Sequence, residues 1–183
     1  RPLALPHAVV EIKVDGDHPA DDVRFLLAAN PGEPALPLAK VASGGELSRA
    51  MLALRLALGG AEAETLVFDE VDAGIGGEAA LAVGRSLSAL GARAQVLVVT
   101  HLPQVAAFAD AQVAVSKADQ GGRTVASARV LDGDERVVEV SRMLSGHPQS
   151  DAAQGHAAEL LSVAADHRRS RTGTVAGAGG GER

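Results

Sequence analysis

The chain has 183 residues, of which 46% are apolar and 22% charged, enough for a domain that buries roughly 70% of its unfolded surface. A net charge of −6 excludes a basic coat over the whole surface, though not a local basic patch, and the absence of cysteine excludes disulfides and thiolate metal sites. Three aromatic residues, all Phe, are too few for a base-stacking platform.

In chain order, residues 8–14 (AVVEIKV) read as a strand. Residues 23–29 (VRFLLAA) read as a strand or a short helix, and the apolar period leaves both open. Asp15-Gly16-Asp17 between them signals a hairpin turn, and the proline-rich stretch 30–37 a loop. Glu46 to Leu58 is almost wholly Leu, Ala and Met, without proline or β-branched residues, and predicts a helix ended by Gly59-Gly60. Residues 65–69 and 95–100 are short apolar runs with a helical pattern, 78–90, between them. That is the layout of one βαβ unit, with parallel strands expected to be buried on both faces. A short helix opened by Pro103 covers 103–109. Strands at 111–117 and 123–130 flank Asp119-Gln120-Gly121-Gly122, a hairpin signal. Helices follow at 135–144 and 152–165. Beyond Asp166 the composition turns to Arg, Ser, Thr and Gly, so one lobe over 1–165 and a disordered tail over 166–183 are expected.

Four segments carry chemistry. Ser43-Gly44-Gly45-Glu46 opens a helix. It suits a simple capping box, and it equally suits a helix start stripped of Cβ atoms so that an anion can reach backbone N–H groups. Leu66-Val67-Phe68-Asp69-Glu70 ends an apolar strand in two adjacent carboxylates. Strand alternation lets one serve a metal ion and the other an attacking water, although a solvated strand end has the same look. Asp72, followed by Ala73-Gly74-Ile75-Gly76-Gly77, is either a helix cap in an ordinary loop or part of a close backbone approach. Thr100-His101 ends the next strand, and parallel pairing would bring His101 to the carboxyl edge that holds Asp69 and Glu70, where ligands bind in open α/β sheets. The other five histidines have no such setting.

In order and spacing these segments resemble the second half of an ABC-type ATPase head. The stretches KVASGGELSRAMLAL (40–54), TLVFDEVDAGIGG (65–77) and VTHLPQVAAFAD (99–110) are similar to the RecN family of SMC-like bacterial DNA repair ATPases, and the resemblance runs over residues 6–161. It implies an α/β fold: the C-terminal lobe of a P-loop ABC-type head, with a parallel sheet core flanked by helices. It implies roles residue by residue. Ser43, Gly44, Gly45 and Glu46 form the signature that binds the γ-phosphate of ATP on the other protomer. Asp69 serves Mg²⁺, Glu70 is the general base, Asp72 helps couple protomers, and His101 senses the γ-phosphate. It also implies ATP and Mg²⁺ as cofactors, a head-to-head homodimer, DNA double-strand breaks and ends as targets, and work beside a recombinase.

The large departure is that no GxxxxGK[ST] phosphate loop occurs in the chain. The missing N-terminal lobe is therefore expected to supply it, and these residues alone are expected to be inactive. The start, Arg1-Pro2-Leu3-Ala4, has no initiator Met and no signal pattern, and no apolar run approaches the ~18 residues of a membrane span. A longer, cytoplasmic, nucleoid-associated protein is the resulting expectation. Two other functions fit part of the pattern: the nucleotide-binding domain of a transporter or another SMC-like ATPase, and a non-catalytic interaction module using the helices at 135–165. Glu46, where transporters usually carry Gln, counts against the transporter.

Overall fold

A computed structural model describes residues 3, 7–16, 18, 22–28, 30–40, 44–58, 65–147 and 150–176. Ser43, Gly59-Gly60, Asp17, Ala29 and the glycine tail from residue 177 lie outside the described residues. The chain divides into two compact units, Arg1–Thr100 and His101–Arg183, where one lobe was expected through residue 165.

The first unit opens with strands β1 (Val9–Val14), β2 (Val23–Ala28) and β3 (Leu36–Pro37), an antiparallel sheet in that order. The turn signal between the first two is thus a hairpin, and residues 23–28 resolve as strand. Leu26 and Leu27 are buried, while Val9, Val10, Ile12 and Val14 stay exposed. After a 3₁₀ turn, helix α1 (Gly44–Leu58) leads to β4 (Thr65–Phe68), α2 (Gly77–Leu90) and β5 (Gln95–Val98). Strands β4 and β5 are parallel with Phe68 beside Val98, and the Val99 N–H donates to the Phe68 carbonyl at 3.0 Å. The predicted βαβ unit is present. Ala50, Leu52, Phe68, Val71, Ala80, Val83 and Leu87 form the core of this unit.

The expectation that both faces of these strands are buried is corrected. Phe68 is buried, but Val67, Leu97 and Val99 are 68%, 51% and 62% exposed. An apolar run without alternation does not say how many faces are covered within one chain.

The second unit contains α3 (Pro103–Ala106), the antiparallel hairpin β6 (Val113–Gln120) and β7 (Arg123–Val130), then α4 (Gly133–Ser145) and α5 (Asp151–Ala176). Disorder was expected from Asp166; helix α5 runs to Ala176. Its polar composition hid tertiary anchors, because His167 packs edge-on to Phe108 with ring centroids 5.7 Å apart and Arg168 bonds the Ala107 and Ala109 carbonyls. Tertiary contacts override weak local propensity here.

Helix α4 begins in a full capping box: Asp132 accepts from the Glu135 N–H, and Glu135 accepts from the Asp132 N–H. Arg129 also pairs with Glu135. Arg129 foremost, then the Asp132 N–H, hold the Glu135 carboxyl below its ordinary value. A depressed carboxylate pKa stabilises the fold above the ordinary value, and that stability is lost as pH falls through the depressed one. In urea unfolding, Asp132→Ala should therefore lower stability by about 1 kcal/mol at neutral pH. Glu135→Gln should flatten the loss of stability below about pH 4.5, the ordinary carboxylate value. An unchanged acid limb in Glu135→Gln would contradict the pairing.

Candidate functional site

The site in the first unit is a meeting of the N-terminal half of α1 with the loop that leaves β4. Gly45, Ser48 and Arg49 are three and four residues apart, so they share one helix face. Each touches the loop. The Ser48 hydroxyl donates to the Asp69 carbonyl at 2.9 Å. The Arg49 guanidinium donates to the Ala73 carbonyl at 2.8 Å and to the Val71 carbonyl at 3.4 Å. Gly45 is buried against the loop, and a Cβ there would lie 2.8 Å from the Ala73 oxygen and 2.9 Å from its Cβ. Helix and loop approach this closely because residue 45 has no side chain.

Gly44 is the first residue of α1, and a Cβ on it would meet the Glu70 carboxylate at 2.5 Å. The structure thus brings together Gly44 and Glu70, 26 positions apart in the sequence. Glu46 lies in the first turn of the helix, half-buried, and its charge acts on Arg49. Ser43, the proposed cap and signature residue, lies outside the described residues.

Asp69 and Glu70 are both exposed. Asp69 Oδ1 accepts the Glu70 N–H at 2.9 Å, which fixes the turn between them. Glu70 has φ 56°, and no other non-glycine residue among those described has positive φ. A bulky residue in the left-handed region is strained by roughly 1–2 kcal/mol, and such strain concentrates where geometry serves function.

Asp72, expected to help couple two protomers, is placed here within one chain. It is only 2% exposed and accepts a hydrogen bond from the Thr100 hydroxyl. Its carboxylate ties the loop after β4 to the end of β5, so the two carboxyl ends are joined by side chains as well as by the sheet. His101, the next residue, is exposed and opens the second unit.

Two participants escaped the sequence reading. Arg49 is 5% exposed, and burial pulls its guanidinium below the ordinary value, partly offset by Glu46. A cation within a Leu/Ala/Met helix, four residues after a glycine, was the available signal. Thr100 was named only as a neighbour of His101. Among the described residues no three His, Asp or Glu side chains group tightly enough to hold a metal ion. A magnesium ion needs less from protein, commonly one or two carboxylates with substrate phosphates and water. The exposed Asp69 beside Glu70 fits that donor set.

No family model matches the chain. Its sequence is 49% identical over 180 residues to the DNA repair protein RecN of Streptomyces coelicolor, covering 88% of this chain and 32% of the relative. It is 53% identical over 166 residues to the RecN of Deinococcus radiodurans, covering 88% and 29%. The chain therefore spans about a third of the length of the curated relatives it matches. Among solved structures it is similar to the Smc head domain of Pyrococcus yayanosii, with a TM-score of 0.58 at 20% identity over 78% of this chain and 27% of that one. It is also similar to a chain from a study of ATP-driven dimerization of SMC ATPases, with a TM-score of 0.52 at 17% identity over 78% and 85%. The fold is that of an SMC-type ATPase head. With half its residues identical over most of its length, the chain is part of a RecN-like protein.

The two glycines should respond differently to a methyl group. Gly45→Ala meets backbone and should lower stability by about 1–3 kcal/mol. Gly44→Ala meets the end of a flexible side chain and should cost under about 1.5 kcal/mol while moving Glu70. Urea unfolding of both variants checks this; equal losses would contradict the described contact.

Proposed function

We propose that this chain is the signature-bearing half of an ATP-hydrolysing head that acts in DNA double-strand break repair. The observation that carries the reading is the loop Asp69–Ala73, held by Ser48 and Arg49 with Glu70 turned into the left-handed region beside Gly44.

In this proposal Asp69 holds Mg²⁺, which supplies charge neutralisation at the phosphates. Glu70 accepts a proton from the water that attacks the γ-phosphate. The N-terminus of α1, with Ser43, Gly44 and Gly45 and with Glu46 in its first turn, binds the γ-phosphate held by a second head. Phosphoryl transfer is mostly positioning and charge, so the close fit of helix and loop is the relevant property. Asp72, which joins its loop to Thr100, helps couple the two protomers. His101, directly after Thr100, contacts the γ-phosphate.

A phosphate loop must come from elsewhere, since none is present in these 183 residues. The exposed apolar face of β4 and β5 is where a further lobe carrying it would pack, and such burial is favourable at roughly 25 cal/mol per Å². Double-strand breaks and DNA ends, a second head and a recombinase are the proposed partners. The proposed setting is the cytoplasm at the nucleoid. No helix among the described residues is long and apolar enough to cross a membrane.

In the complete head, Glu70→Gln should retain ATP binding and lose about 10²- to 10⁴-fold in turnover, because an amide cannot accept the proton. The same variant should accumulate ATP-dependent head dimers in light scattering. Ser43→Arg should block those dimers while each head still binds ATP. Near-normal turnover in Glu70→Gln would refute the assignment of the base.

A further inference from the structure

Helix α3 is gripped from two other helices. The Arg136 guanidinium of α4 donates to the carbonyls of Ala106 at 3.0 Å, Ala107 at 3.2 Å and Ala109 at 2.6 Å. Arg168 of α5 donates to Ala107 and Ala109, both at 3.1 Å, and its Nε lies 3.8 Å from Asp110. Two cations therefore share the carbonyls that end α3. Arg136 also reaches Gln112 at 3.4 Å. His167 closes on Phe108 from the same turn of α5.

End capping alone needs far less. A helix C-terminus is ordinarily finished by a glycine or one nearby basic side chain. Here the donors come from 27 to 61 residues away and enter a site where Ala107 and Phe108 are buried. Desolvation foremost, then the Arg168 charge, pulls Arg136 below its ordinary value, partly offset by Asp110.

The gripped segment runs back to His101 without a break. Leu102 accepts from the Val105 N–H at 3.1 Å and the Ala106 N–H at 3.0 Å, and Pro103 from the Ala107 N–H at 2.9 Å. Phe108 and Ala109 donate in turn to Val105 and Ala106, both at 3.1 Å. Residues 102–109 are thus one hydrogen-bonded piece with a fixed proline near its start, and His101 is the residue attached to its front.

We propose that Arg136 and Arg168 are positioning residues: by fixing the far end of this piece they set where the His101 imidazole stands for the ATPase step. The inference rests on the reading of His101 as the γ-phosphate contact. It also gives the C-terminal helices α4 and α5 a part in turnover, as the elements that hold the histidine-bearing segment in place.

The test uses the complete ATPase, with Arg136→Ala, Arg168→Ala, His101→Ala and the Arg136→Ala/His101→Ala double variant. Arg136→Ala should lower kcat between about 10- and 100-fold with KM for ATP changed less than about twofold, since misplacement of a contacting group acts on the transition state. Arg136→Lys, which keeps the charge and some donors, should recover part of the loss. In the His101→Ala background Arg136→Ala should have no further effect. Hydrogen exchange should show faster exchange across 102–109 in Arg136→Ala. If Arg136→Ala does not fold by circular dichroism, Arg168→Ala should show the same kcat loss, and an Arg168→Ala/His101→Ala double variant the same non-additivity. Wild-type kcat in folded Arg136→Ala or Arg168→Ala, or equal losses with and without His101, would overturn the proposal while leaving His101 in its role. Wild-type kcat in His101→Ala would overturn that role and this inference with it.

Discussion

The first unit depends on how closely one helix can approach one loop. Gly45 brings the backbone of α1 against Ala73, and only at that distance do Ser48 and Arg49 reach the carbonyls of residues 69, 71 and 73. A carbonyl buried without a donor costs about 1–3 kcal/mol. Arg49 meets that need twice and in return is itself almost wholly buried. The strained turn at Glu70 persists because both sides of it are fixed: Asp69 by Ser48 and by the Glu70 N–H, and Val71 by burial and Arg49.

The same logic recurs at the other carboxyl end. Asp72 and Thr100 link the loop after β4 to the end of β5, and the paired strands bring those ends level. In the second unit, guanidinium groups again serve backbone carbonyls rather than carboxylates: Arg136 and Arg168 do for residues 106–109 what Arg49 does for residues 71–73. A planar guanidinium offers five donors in a fixed fork to hold several carbonyls at once, against three on an ammonium. Surface ion pairs such as Arg142–Glu139 and Arg169–Asp166 add little by comparison.

Much of this was legible before any coordinates. The apolar runs at 65–69 and 95–100, the helix between them and the two hairpins follow from period and turn chemistry, and the acid pair is visible at the strand end, although a solvated strand end has the same look. What was not legible shares one cause: it depends on contacts between distant residues. Asp72 stayed open between a helix cap and a close backbone approach because its partner Thr100 is 28 residues away. Arg49 escaped notice because the carbonyls it serves leave no mark in sequence. The tail after Asp166 read as disordered because its anchors, Phe108 and the Ala107 and Ala109 carbonyls, lie 59 to 61 residues back. The exposed side of β4 and β5 could not be told from the covered side because Val67 and Phe68 are equally apolar.

The central claim is that this chain holds one half of a composite ATPase site and depends on a phosphate loop it does not contain. Reconstitution tests it most directly: ATP hydrolysis is measured for this chain alone, for a separately prepared lobe bearing the phosphate loop of the same protein, and for the two mixed. Hydrolysis only in the mixture, abolished there by Glu70→Gln, is the expected result. Steady hydrolysis by this chain alone, or a mixture that forms a stable complex with nucleotide bound and yet gains no activity, would contradict it.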